Sequence, residues 1–259
     1  MMRFTTMKTK LRKYPSIFLI LLLAISSCFL TGCVNQHPKD SKKSSQGESV
    51  ETMLEITDPK EKQAVLNAKA KVKALSGNPR IVATSPAVAD ICDKLDLDLV
   101  GVPKSSVSKI PSRYKKVKKV GLAMSPDMEI VSSLNPDWIL APSSLETDLK
   151  PKFEELKNTE YAFLNLRSVQ GMYRSAQELG EIFGKQQEAE KMTKEFTTFY
   201  KSYTKRNKNK KHPKVLVLMG LPGSYVIATE NSYIGSLVKL AGGENVYQNT
   251  DQEFLTVNT

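Results

Sequence analysis

The sequence predicts an α/β fold: two parallel-sheet lobes joined by a long helix, the second lobe incomplete. Three observations predict it. From Arg80 onward, short apolar runs alternate with amphipathic helical segments, the pattern of strands laid side by side through crossover helices. A longer helical segment then runs from Gln186 to Lys208, on the order of 33 Å at about 1.5 Å per residue, long enough to span two lobes. A new strand-and-helix unit starts at Pro213 and has only 47 residues to Thr259, too few to bury an adequate core alone.

The elements follow in order. Pro59 to Leu75 reads as a helix, with Val65, Ala68, Val72 and Leu75 at helical spacing and a stop at Ser76-Gly77-Asn78-Pro79. Its thin apolar face suits a loosely docked spacer. Ile81 to Thr84 is a short buried strand. Ser85 caps the next helix and Pro86 takes its first position, where a missing N–H costs nothing. Leu97 to Val102 is a second strand, and Ser125-Pro126 repeats the cap-and-proline start. Trp138 to Leu140 and Tyr161 to Leu166 are the third and fourth strands. Ser168 caps a helix that Gly184 closes. In the last unit Val215 to Met219 and Tyr225 to Thr229 are strands, and Ser232 caps a helix that stops at Gly242-Gly243.

The first 32 residues read as a signal peptide, with an uncleaved N-terminal anchor helix as the competing reading. Five basic residues (Arg3, Lys8, Lys10, Arg12, Lys13) precede an apolar run from Ile17 to Leu30, shorter than the ~20 residues of a spanning helix. The run ends in Leu30-Thr31-Gly32-Cys33, which resembles the bacterial lipobox, so Cys33 is the expected lipidation site on the extracytoplasmic face of the cell membrane. More than one acyl chain gives a stable anchor. Residues 33–78 are then a lipidated tether with a short helix, 79–167 the first lobe, 168–211 a helical segment with the lobe-spanning helix, and 212–259 a partial second lobe.

Composition narrows the class. The net charge is +11, and removing the five signal cations leaves +6 on the remaining 227 residues. No zinc finger, RNA-binding aromatic motif or basic helix with dimerising heptads is present, so a nucleic-acid partner is not expected. Cys28 leaves with the signal and Cys33 carries lipid, so Cys92 stays a lone, buried small residue with no internal disulfide. An envelope hydrolase lacks support, since there is no Gly-x-Ser-x-Gly elbow and no His-Glu-x-x-His, and only His37 and His212 are available.

Two residue sets suggest a binding site. In open α/β sheets, ligands bind where strand ends lead into helices. Met124 lies in such a loop, one residue before Ser125. Its thioether is a soft, neutral ligand that suits haem iron, and a gap-filling core methionine is the competing reading. The Ser85-Pro86-Ala87 helix start offers backbone N–H groups and a positive dipole end to a carboxylate, as against a plain cap. Lys115-Lys116 and Lys118-Lys119, just upstream, can attract an anionic ligand or simply form a solvated face.

Pro126 to Val131 followed by Leu134-Asn135-Pro136-Asp137-Trp138-Ile139-Leu140 resembles the signature of class III periplasmic-binding-protein-like lipoproteins. In these, two α/β lobes joined by one long helix grip an iron-siderophore, cobalamin or haem. Within that family the haem receptors of iron-regulated surface systems are the nearer likeness. It rests on Arg80-Ile81-Val82, Lys94 to Leu97, Arg113-Tyr114-Lys115, Leu218-Met219-Gly220, Pro222 to Tyr225, Ser232 to Gly235 and Ala241 to Val246. The resemblance implies a lipid-anchored receptor that captures haem b (iron protoporphyrin IX). It would take haem from cell-surface haem-relay proteins and pass it to the ABC permease of a haem importer.

The resemblance also implies the site. The family's methionine ligand to the iron lies in Gly-x-x-Met-x-Pro, here Gly121 to Pro126, so the metal ligand is Met124. The family's histidine ligand would lie beyond Thr259. Propionates would be held at Pro86 and Ala87, and at Ser105 and Ser106, where the family carries a tyrosine and this chain has serine or valine. Glu244 and Asp96 are surface acids of the kind that dock a permease in this superfamily. A siderophore receptor is the alternative within the same class, although its pocket would want several Arg, Trp or Tyr side chains and Trp138 is the only tryptophan. A non-functional truncated product is the other alternative.

Overall fold

The computed structural model describes residues 53–256 together with the backbone of Arg3 and Phe4. Apart from the backbone of Arg3 and Phe4, the expected signal peptide lies outside the described residues, as does Cys33. Among the described residues no helix is long and apolar enough to cross a membrane.

The first lobe is a six-stranded sheet. Its strands are β1 (Arg3–Phe4), β2 (Ile81–Ala83), β3 (Leu99–Val102), β4 (Lys118–Lys119), β7 (Trp138–Pro142) and β8 (Glu160–Leu164), in the spatial order β1-β8-β7-β2-β3-β4. All pairings are parallel except β1 on β8. Between β4 and β7 stands a small hairpin of β5 (Gly121–Leu122) and β6 (Ser125–Pro126).

Among the described residues, the helices that accompany these strands are α1 (Pro59–Lys73), α2 (Pro86–Lys94), α3 (Met128–Ser133), α4 (Glu146–Glu154), α5 (Val169–Phe183) and α6 (Gln186–Asn207). They cover both faces of the sheet. Because side chains alternate along a strand, Ile81, Ala83, Trp138, Leu140, Ala162 and Leu164 face one layer with α1, α2 and α5. Val82, Ile139, Ala141, Tyr161 and Phe163 face the other, with α3 and α4. A continuous apolar run in β2, β7 and β8 is what a strand covered on both faces requires.

α1 is not a loose spacer. Val65 and Ala68 are buried in the first layer. Lys69 bonds Glu181 of α5 at 2.7 Å, and Lys71 pairs with Glu160. Two small contact residues flanked by long lysines achieve the docking that a thin apolar stripe concealed.

The expected helix start at Ser125-Pro126 is also corrected. Those residues pair with Leu122 and Gly121 as β6. The cap of α3 is Asp127, whose carboxylate accepts from the Ile130 amide at 3.0 Å. The 22-residue α6 leaves the first lobe with only Ala189 buried.

Beyond α6 lie β9 (Lys214–Val215), β10 (Val217–Leu221), β11 (Ser224–Ala228), α7 (Tyr233–Leu240), β12 (Glu244–Asn245) and β13 (Phe254–Thr256). Here the expected parallel sheet is reduced to the two-residue pair of β9 and β12. The order β10-β11-β13 is antiparallel throughout. The cause is the turn between β10 and β11. Pro222 and Gly223 reverse the chain in two residues, with Gly223 at φ +76°, and so short a connection permits only antiparallel pairing.

Candidate ligand-binding site

Parallel strands place all their carboxyl ends on one edge of the sheet, and every candidate contact lies along that edge. The order β4-β3-β2-β7-β8 puts the Met124 hairpin first and the Ser105–Ser106 loop next. The Pro86–Ala87 turn, Ser143–Ser144 and Asn165–Arg167 follow. Adjacent strands are about 4.8 Å apart, so the Met124 hairpin and the Ala87 turn stand about 10 Å apart in the sheet direction.

Met124 occupies the two-residue turn of the β5–β6 hairpin and is 73% exposed. It fills no gap in the core. The hairpin is fixed at its base by the Asp127 amide donating to the Val120 carbonyl at 2.8 Å. Gly121 enters it at φ +95°, and a Cβ there would sit 2.9 Å from the Asp127 nitrogen, so glycine is demanded twice over.

The two serines differ. The Ser105 hydroxyl accepts from the Ser108 amide at 3.0 Å and so shapes its own loop. Ser106 is exposed. The Lys104 amide donates to the Gly121 carbonyl at 2.6 Å, which joins this loop to the Met124 hairpin.

At α2 the helix start offers less than its sequence implies. Pro86 has no N–H, the Ser85 hydroxyl accepts from Val88 at 3.2 Å, and Ala89 donates to the Ser85 carbonyl. The exposed Ala87 amide and the helix dipole remain for an anion.

Sequence reasoning missed the far end of this edge. A polar cavity of about 530 Å³ is lined by Ser143, Ser144, Lys150, Asn165, Arg167 and Glu253. Arg167, just past β8, makes an ion pair with Glu253, just before β13, and so links the sheet edge to the second unit. The signal that could have found it was position: Ser143 and Arg167 each lie just past a buried strand.

The remaining candidates fall away from this edge. Trp138 is buried edge-on against Phe183, with ring centroids 5.6 Å apart. Cys92 is fully buried, and burial pushes its thiol up to about 12. The His212 ring Nδ1 lies 2.8 Å from the Gly242 carbonyl, at the exit of α7. Asp96 is bound by Arg113 at 2.7 Å and Lys185 at 3.0 Å, whose hydrogen bonds hold its carboxyl below the ordinary range. Glu244 is exposed on β12.

Comparison with known proteins gives this edge its context. The chain is 42% identical over 185 residues to the high-affinity heme uptake system protein IsdE of Staphylococcus aureus strain Newman. The match takes in 71% of this chain, and it spans 63% of that protein's length. Among solved structures, an ABC transporter substrate-binding protein from Listeria monocytogenes EGD-e matches with TM-score 0.66 and 46% identity, over 71% of this chain and 70% of that one. S. aureus IsdE complexed with heme matches with TM-score 0.66 and 41% identity, over the same shares. Residues 81–259, from the first buried parallel strand onward, match the periplasmic binding protein family, and the chain belongs to that family.

Proposed function

We propose that this chain is the lipid-anchored substrate-binding receptor of an ABC importer, that its cargo is haem b, and that it works by capture and release without covalent chemistry. One observation carries the reading. Met124 stands exposed at the sheet's ligand-binding edge, where a core methionine would be packed away. The relative crystallised with heme is 41% identical to this chain, which supports the choice of cargo.

In this reading the Met124 sulfur donates to the iron. A thioether brings no charge and raises the iron's reduction potential relative to harder donors. The Ala87 amide, with the α2 dipole behind it, takes one propionate, beside Pro86. The Ser105–Ser106 loop takes the other, Ser106 supplying its hydroxyl. Cys33 carries the acyl chains that hold the receptor at the extracytoplasmic face of the membrane. Cell-surface haem-relay proteins deliver the cargo, and the permease receives it.

The test is haemin titration of the full chain beside Met124→Ala, read by absorbance. Loss of the methionine-ligated spectrum and at least tenfold weaker binding in the variant are expected. An unchanged spectrum and affinity would remove Met124 from the site.

A further inference from the structure

We propose that the lysines flanking the Met124 hairpin form an electrostatic capture patch that draws the propionates of haem to the site and sets the rate of loading. The inference rests on the haem reading above and adds to it a second set of residues with a different task.

Between Asp98 and Asp127 the chain has no acidic residue, but it has Lys104, Lys109, Arg113, Lys115, Lys116, Lys118 and Lys119. Arg113 is committed, with Asp96 at 2.7 Å and Asp98 at 2.8 Å. None of the six lysines has a carboxylate within ion-pair distance among the described residues. Five of them are exposed, and Lys119 is half-buried.

Their placement follows from the fold. Lys118 and Lys119 are β4, the outermost strand of the sheet, and the chain passes from them through Val120 directly into the hairpin. Lys104 is tied to that hairpin by its own amide. The uncompensated charge of Lys104, Lys118 and Lys119 is therefore adjacent to the ligand edge, on one side of it, and Lys115 and Lys116 extend it back toward the amino end of β4.

What stands among these cations selects the partner. Leu122 and Val107 are exposed at 55% and 94%, alongside Met124. Exposed apolar tips on the same loops as these lysines complement an amphiphilic anion, with a flat apolar body and carboxylates at one end. A purely hydrophilic polyanion would leave those tips in water. Clustered charge of one sign raises association rates by about 10- to 1,000-fold and leaves dissociation to the short-range contacts.

The experiment is stopped-flow haemin association with the full chain, wild type beside the quadruple variant Lys115→Gln, Lys116→Gln, Lys118→Gln, Lys119→Gln. At low ionic strength the variant is expected to associate about tenfold more slowly, with the bound spectrum and dissociation rate unchanged. The gap should close in 1 M salt, where the Debye length is about 3 Å. Haemin dimethyl ester, which lacks the propionate charges, should load both proteins at one rate.

Equal haemin rates at low salt would overturn the capture patch while leaving the haem reading intact. So would a slowing that persists with the ester. A wild-type chain that shows no haem spectrum at all would overturn the haem reading, and the patch with it. Binding of wild type, but not variant, to phosphatidylglycerol vesicles, together with equal haemin rates, would assign the lysines to the membrane surface instead.

Discussion

Lys104 and Gly121 are joined by a 2.6 Å amide-to-carbonyl hydrogen bond, which ties the loop after β3 to the hairpin bearing Met124. Gly121 also turns the chain at φ +95° with no room for a Cβ. Gly121→Ala should therefore cost about 1–3 kcal/mol of stability. It should also weaken haem binding, because it displaces Met124 without removing the sulfur. Urea melts and haem titration of the same variant check both effects. A variant with wild-type affinity would show that the hairpin's position does not matter.

A thioether does not titrate. Ligation by Met124 alone predicts haem affinity that stays flat between about pH 5.5 and pH 8, where an unperturbed imidazole would change charge. Titrations across that range check it. A loss of affinity centred near pH 6.5 would instead implicate an imidazole ligand.

Glu178 is the most perturbed carboxyl of the first lobe. It lies buried on α5, and burial, with Glu61 of α1 facing it, pushes its pKa from 4.5 to about 9, against the pull of Arg174. Folded, it keeps a proton that the unfolded chain releases. Stability should therefore fall as pH rises from about 5 to 9, the window between the two values. Glu178→Gln should flatten that slope, leaving the melting temperature near wild type at pH 5 and above it at pH 8. Thermal melts at the two pH values decide. Parallel pH profiles in both proteins would show that the proton is not held there.

Tyr114 and its neighbour Arg113 offer a contrast. The buried Tyr114 hydroxyl donates to the Leu97 carbonyl at 2.6 Å, and burial drives its pKa above the usual phenol range. Tyr114→Phe strands that carbonyl and should cost about 1–3 kcal/mol. Arg113 reaches three carboxylates, Asp96, Asp98 and, at 3.9 Å, Asp93, but the two nearest are largely in solvent, so Arg113→Ala should cost under about 1 kcal/mol. Denaturation of the two variants in urea should rank them in that order.

The layered first lobe was legible in the sequence because β2, β7 and β8 are apolar on both sides, and Ser85 and Ser168 cap their helices as their spacing implied. α4 was not. It holds Pro151 and a run of Glu and Lys, with only Leu149 and Phe153 buried. β4, β5 and β6 were invisible because a two-residue strand has no period to detect. The position of Met124 at a strand-end loop was readable, but the hairpin holding it was not, since Ser125-Pro126 offers the same letters to a cap and to a strand. The Arg167–Glu253 pair joins residues 86 apart in sequence, a closeness that only the folded chain creates.

The separation between the two apolar layers and the loops along the sheet edge has an evolutionary consequence. Strand alternation locks the register, since a slip of one residue would exchange Trp138 and Leu140 with Ile139 and Ala141. The rim is freer between its ties. From Ser106 to Lys109, between the Lys104 amide that holds the Met124 hairpin and Ile110 that packs on the first layer, the exposed loop can change length or chemistry at little cost to the scaffold, so ligand preference in this architecture can drift by edits there.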